Sequence, residues 1–173
     1  MRLLNILLIA IPLSAIGCTQ TKQIDWNNSL EITNLVIVEY DEFKKVTRYV
    51  GPHYPGYILG SNVFLRAWKY DSYSTITYQI YASSYYRGDW RFYDQAYDSD
   101  GNQLDTTVID RYVISCYQSP CSHSEHIGIN ISRDYLEKHR NGQIRFKIEG
   151  RAGEDIFTIP SSYISAFLNR VVP

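Results

Sequence analysis

From Leu30 onward the chain is written in short alternations of apolar and polar positions, the period-two signature of half-buried strands. Leu30 to Tyr40 carries a β-branched run, Ile32 through Val38, and Val46 to Val50 forms a second candidate stopped by Gly51-Pro52. The stretch Gly51-Pro52-His53-Tyr54-Pro55-Gly56 is a loop that no regular element can cross. Asn62 to Tyr70 and Tyr73 to Ala82 both alternate, with Asp71-Ser72 between them as a turn. The best resolved hairpin runs from Tyr73 to Tyr85, through Arg87-Gly88-Asp89, and out along Trp90 to Tyr97. Asp98-Ser99-Asp100-Gly101-Asn102 makes the next turn, and Gln103 to Tyr117 returns as a long strand. Ile127, Ile129 and Ile131 alternate, and Gln143 to Glu149 and Asp155 to Ile159 complete the set.

Two segments change period to that of a helix. Ser132 is placed to cap Arg133 to Arg140, with Asn141-Gly142 as a left-handed stop. Ser161 or Ser162 is placed to cap a C-terminal helix whose Tyr163, Ile164, Phe167, Leu168 and Val171 make one apolar stripe. About eight short strands with hairpin spacing predict a mainly β fold: an antiparallel sandwich or barrel-like domain with one or two short helices, including a C-terminal helix. Residues 30–173 read as a single β-rich domain, with no internal repeat.

Strand parity carries one functional expectation. With Arg87-Gly88-Asp89 as a tight turn, Ile76, Tyr78, Ile80 and Ala82 share a core face with Trp90, Phe92 and Ala96. The opposite face then holds Thr75, Thr77, Gln79, Tyr81, Tyr85, Arg91, Tyr93, Gln95 and Tyr97. Tyr81, Tyr85, Arg91, Tyr93 and Tyr97 form the candidate face for a ligand or partner, since amphipathic rings stack on sugars or enter protein interfaces. Tyrosine is also an ordinary strand former, so these sixteen tyrosines can equally fill cross-strand pairs on a solvated surface.

The first eighteen residues have a different character. Arg2 is a positive n-region, Leu3 to Ile11 an apolar core, and Ala15-Ile16-Gly17-Cys18 ends in a cysteine after small residues. The apolar run falls short of the ~20 residues that span a bilayer and is broken by Asn5 and Pro12. This arrangement resembles the lipobox signal of bacterial lipoproteins, cut before an acylated cysteine. The resemblance implies a signal peptide at 1–17, lipidation of Cys18, and a polar tether over 18–29. Thr19 after the cysteine resembles sorting to the outer membrane, where the domain would face the periplasm.

Charge and cysteines narrow the classes further. A net charge of −1 provides no footprint for nucleic acid and no polybasic membrane patch. With Cys18 given to lipid, Cys116 and Cys121 are left as a pair five residues apart. In an oxidising envelope they predict a disulfide pinning a loop, adding ~2 kcal/mol.

Candidate chemistry is thin. His123, Glu125 and His126 do not converge on an extended chain, because His123 and Glu125 point one way and His126 the other. They read as a solvated loop, and no metal site or cofactor is expected. Asp98 to Asn102 lacks the Gly and Glu of a helix-loop-helix calcium site and reads as a hairpin turn. Arg87-Gly88-Asp89 matches the integrin-binding tripeptide, but Gly-Asp at a turn has its own structural reason. No Gly-x-Ser-x-Gly elbow, His-Glu-x-x-His or phosphate loop occurs. The acidic pairs Asp41-Glu42 and Glu154-Asp155 read as solvated element edges. The expectation is a non-enzymatic, lipid-anchored envelope protein that binds a protein partner or supports an assembly. A glycan-binding module using the tyrosine face is the alternative, followed by a hydrolase of envelope polymers with distant carboxylates.

Overall fold

The computed structural model describes residues 23–117 and 119–172; the signal, Cys18 and the first part of the expected tether, residues 18–22, lie outside them. The chain runs α1 (Ser29–Leu35), β1 (Ile37–Asp41), β2 (Val46–Val50), a two-residue β3 (Tyr54–Pro55), β4 (Asn62–Tyr70), β5 (Ile76–Arg87) and β6 (Tyr93–Asp98). It continues with β7 (Gln103–Ser115), β8 (Ser122–Ile131), α2 (Arg133–Lys138), β9 (Ile144–Gly150), β10 (Gly153–Ile159) and α3 (Ser161–Arg170).

The β-branched run from Leu30 is a helix followed by a strand. Asn28 caps α1 by accepting the Glu31 amide on its side chain, and it outcompetes the β propensity of Ile32 and Thr33. Ile32 and Val36, four residues apart, go to the core, whereas Leu30 stays 69% exposed.

All pairings are antiparallel, in the order β1-β2-β4-β5-β8-β7-β6-β9-β10 with β3 on β4. Strand β7 belongs to two ladders: Gln103 and Leu104 pair with β6, and Asp105 to Ser115 pair with β8. In a flat ladder β5 and β10, five positions apart, would be separated by ~24 Å. Yet the Ser84 hydroxyl of β5 donates to Asp155 of β10 at 2.8 Å. The sheet therefore folds over at β7, and β6, β9 and β10 pack on the inner face of β4, β5 and β8. This is the sandwich of the two antiparallel arrangements, sandwich or barrel-like, that the patterning predicts.

The hairpin expected between Tyr73–Tyr85 and Trp90–Tyr97 does not form. Strand β5 pairs with β4 and β8, and β6 with β7 and β9. At Gly88 the chain takes φ +126° and still donates to the Cys121 carbonyl beside β8, after which residues 88–92 cross to the second layer. Phe92 sits at φ +55°, a costly conformation for a bulky residue. This breaks the alternation on which the parity reading depends. Phe92 is exposed and Trp90 half-buried, while Tyr93 is fully buried.

Both other helices lie where the sequence places them, with different ends. Ser132 caps α2 by accepting the Tyr135 amide, but the helix ends at Lys138 without a left-handed stop. There His139 Nδ1 meets the Tyr135 carbonyl at 2.7 Å. In α3 neither serine caps; the N-cap is Pro160, and Ser162 donates to the Trp26 carbonyl instead. The predicted stripe of α3 is buried throughout. Its Tyr163 hydroxyl accepts the Leu65 amide and donates to the Pro52 carbonyl. A Cβ at Gly51 would lie 2.2 Å from that oxygen, so only glycine admits the contact.

One carboxylate holds the two layers together. Glu125 on β8, 1% exposed, accepts from the Arg91, Phe92 and Tyr93 amides at 3.1, 2.9 and 2.9 Å. It also accepts from the Tyr86 hydroxyl and pairs with Arg111 at 2.8 Å. Burial and the proximity of Glu125 push the Tyr86 phenol well above its ordinary range, so it remains a donor.

Two expectations follow. Tyr93→Ala should cost ~3–5 kcal/mol, as for other fully buried aromatics, and Phe92→Ala clearly less, in paired denaturant titrations. Glu125→Ala leaves Arg111 and three amides without their acceptor and should cost a similar ~3–5 kcal/mol; a titration curve close to wild type would contradict the clamp.

Candidate functional site

On the four long strands β4, β5, β8 and β7 the side chains turned away from the second layer form one surface. The β4 contribution is Phe64, Arg66 and Trp68, that of β5 is Gln79, Tyr81 and Tyr85, and β8 adds Ser124, His126 and Asn130. The partners of these residues in hydrogen bonds and ring contacts come from the same face and from His53 in the loop before β3.

Rings cross this face as a row. His53 stacks on Phe64 with centroids 4.5 Å apart, and Phe64 on Tyr81 at 4.6 Å. Tyr81 meets His126 edge-on at 5.5 Å, and His126 stacks on Tyr112 of β7 at 5.3 Å. The Arg66 guanidinium lies 4.9 Å from the Tyr81 centroid, a cation–π contact. Beside the row runs a chain of polar bonds. Arg66 Nε donates to Gln79 Oε1 at 2.8 Å, Gln79 to Asn130 at 2.7 Å, and Asn130 to Asp105 at 2.7 Å. Each amide in this run is oriented by its neighbours, as buried polar groups require.

His126 is ringed by hydroxyls: Tyr81 at 2.6 Å on Nδ1, with Ser124 and Tyr112 at 2.9 and 3.2 Å on Nε2. Burial holds its pKa below the ordinary histidine value, against an opposing pull from Asp110. Burial likewise raises the Tyr81 phenol, with Arg66 pulling it down. Both groups are neutral at neutral pH and act as hydrogen-bonding rings.

The sequence-derived face is only partly assembled. Tyr81 and Tyr85 share this surface, the latter bonded to Ser122 at 3.1 Å. Tyr93 is in the core, where its hydroxyl accepts from Arg91 at 2.7 Å. Arg91 itself lies over the Tyr86 ring at 4.4 Å. Tyr97 stands on the second layer, hydrogen-bonded to Gln95. The five residues are therefore divided between two layers and the core, because the chain changes layer between Tyr85 and Tyr93. Phe64, Arg66 and Tyr112 are not singled out by the sequence, and His126 reads there only as part of a solvated loop. Outward parity along Asn62 to Tyr70 was the available signal for the first two.

Other local readings change as well. His123 and Glu125 do point away from His126, but all three sit on β8, not in a solvated loop, and His123 and Glu125 are buried. His123 is enclosed by Tyr86 and Trp90, whose ring centroids lie 5.6 and 4.2 Å away. Asp155, read as a solvated edge, is buried, and burial raises its pKa against the Ser84 hydrogen bond. Among the described residues no three His, Cys, Asp or Glu side chains gather around a possible metal ion. The Cys116–Cys121 disulfide is present, with Cα atoms 4.3 Å apart. The Asp98 turn is present too, its carboxylate accepting the Asp100 and Asn102 amides.

No protein-family model, curated protein or solved structure matches the chain. The function therefore has to be argued from the face itself.

The lowered His126 pKa has a definite sign. The unfolded chain takes up a proton near pH 6.5 before the folded one does, so this contribution to stability is complete above that pH. It falls as the pH drops from there toward the folded value. Melting curves between pH 7.5 and 5 should therefore show a steeper loss in the wild type than in His126→Gln; parallel curves would contradict it.

Proposed function

We propose that this protein is a lipid-anchored component of the cell envelope that binds a protein partner through the open face of its first sheet and catalyses no reaction. The observation that carries the reading is the His53-Phe64-Tyr81-His126-Tyr112 row. Sugar recognition by aromatic side chains needs a free ring face. Here Phe64 has both faces engaged, by His53 and Tyr81, and is 8% exposed. What the row offers outward is the exposed His53 and Tyr112 at its ends and the half-buried Arg66 guanidinium, the mixed composition of protein–protein contact surfaces.

The non-catalytic part of the reading is supported by how the buried carboxylates are used. Glu125 is occupied by five donors, and Asp155 by Ser84 and the Ile156 amide. Glu125 is enclosed, and although Asp155 lines a cleft with Glu154 and Arg145, Glu154 is paired with Lys147 at 3.1 Å. The anchoring part rests on the signal ending at Cys18 and Thr19. Among the described residues no helix is long and apolar enough to cross a membrane.

Tyr112 is 44% exposed and Arg66 half-buried, so neither is needed to close the core. Tyr112→Ala with Arg66→Ala should leave the melting transition within a few degrees of wild type. The same pair should weaken partner capture by ten-fold or more, given ~2 kcal/mol or above for interface tyrosine and arginine anchors. Membrane-permeable cross-linking followed by pull-down measures it. Undiminished capture would remove the face from the reading, and selective binding on a glycan array would put the sugar alternative in its place.

A further inference from the structure

Between Arg48 and Arg66 the chain contains no Lys, Arg, Asp or Glu. Within this uncharged stretch Gly56-Tyr57-Ile58-Leu59-Gly60 projects from the end of the sheet at which β4 begins. Tyr57 is 99% exposed and Leu59 93%. Ile58 between them is half-buried, and two large apolar side chains held out in water side by side are costly unless something covers them. The tip is firmly built: the Gly56 amide donates to the Ser61 carbonyl at 2.8 Å, and the Ser61 amide to that of Ile58 at 2.9 Å. Gly60 takes φ +92° where a Cβ would be 3.3 Å from the Tyr85 ring. The apolar tip is thus presented in one conformation.

The start of the domain lies beside this tip. Trp26 packs edge-on against Tyr54, three residues before Tyr57, with centroids 4.9 Å apart. Ser162 of α3 donates to the Trp26 carbonyl. Cys18 and Gln23 are only five positions apart, a chain length that reaches at most ~18 Å. A lipid on Cys18 therefore brings this end of the sheet, and not the other, within reach of the bilayer. Phe43, 91% exposed, marks the far end, next to the Val46↔Tyr70 pair and about 27 Å away along β4.

We infer that the Tyr57–Leu59 tip inserts into the headgroup region of the membrane that holds the lipid anchor, docking the domain on the bilayer by a second contact. This rests on the lipidation of Cys18 proposed above. Tyrosine suits the interface and leucine the acyl boundary. Arg145 lines the cleft beside Tyr57 and Ile58 together with Glu154 and Asp155, so the charges next to the tip are mixed and the apolar residues carry the contact. With the anchor confining the domain, even a weak contact is populated, because its effective concentration is high. Docked this way, the long strands rise from the membrane.

The test uses the full acylated protein on phosphatidylethanolamine–phosphatidylglycerol vesicles, spin-labelled at Leu59→Cys or at Phe43→Cys. The native cysteines are engaged by lipid and disulfide, so one thiol takes the label. Power saturation should place the label at position 59 ~5–10 Å into the headgroup–acyl boundary, open to oxygen and shielded from aqueous nickel. The label at position 43 should remain open to nickel. Tyr57→Trp provides a second readout, an added emission quenched by brominated lipid. Equal nickel access at both positions in protein that floats with the vesicles overturns the docking and leaves the anchor standing. Shielding at position 59 from both reagents indicates a protein contact and also overturns it. Protein that carries no acyl mass and does not float removes the anchor reading, and this one with it.

Discussion

The fold turns on a charged group placed where water cannot reach it. Burying a carboxylate costs several kcal/mol unless donors replace its hydration, and Glu125 recovers them from three sources at once. Tyr86 belongs to the neighbouring strand, Arg111 to β7, and the amides of Arg91, Phe92 and Tyr93 to the segment that crosses between layers. The three amides point at one carboxylate only if the chain curls around it, and that curl puts Phe92 at φ +55°. The strain is sustained because the surroundings over-determine it. Tyr93 then enters the core and β6 begins in the second layer. Arg111 also donates to the Tyr93 carbonyl at 2.7 Å, so the first turn of the new layer is held from both sides.

Closing the sandwich makes the two faces of the first sheet unequal. The inner face is consumed by Leu65, Ile80, Ile127 and Ile129 packing against β9, β10 and α3. The outer face keeps aromatic rings and amides, each locked by its neighbours. A partner meeting that surface finds side chains that lose little rotamer freedom on binding, which lowers the entropic cost of association. The two ends of the sheet differ as well. One carries the uncharged Tyr57–Leu59 tip beside the start of the domain, and the other carries the β1–β2 turn with Lys44 and Lys45. A single anchoring point next to the apolar end gives the molecule a direction relative to its membrane.

Much of the architecture was readable as pattern. Val46 to Val50, Asn62 to Tyr70, the turn at Asp98 and the stripe of α3 follow from alternation, turn residues and helical spacing, all of which act over a few residues. The disulfide follows from cysteine spacing. The start of α1 was also locally encoded, since Asn28 and Glu31 stand three residues apart as cap and first-turn acid, but the β-branched run after them outweighed that signal. Glu125 gave no local sign of its burial. Its donors lie 14 to 39 residues away in sequence, and only the closed sandwich brings them together.

What the sequence by itself determined is the class: short antiparallel strands, two helices at their stated places and a bridged loop, because propensity and periodicity are properties of neighbours along the chain. Which strand pairs with which was decided only in three dimensions. Residues 88–92 could turn back into a hairpin or cross to a second layer, and the choice depends on whether a distant buried carboxylate is there to receive their amides. That choice reversed Phe92 and Tyr93, divided the tyrosines between two layers, and gathered Phe64, Tyr81, His126 and Tyr112 into a row that no stretch of sequence contains.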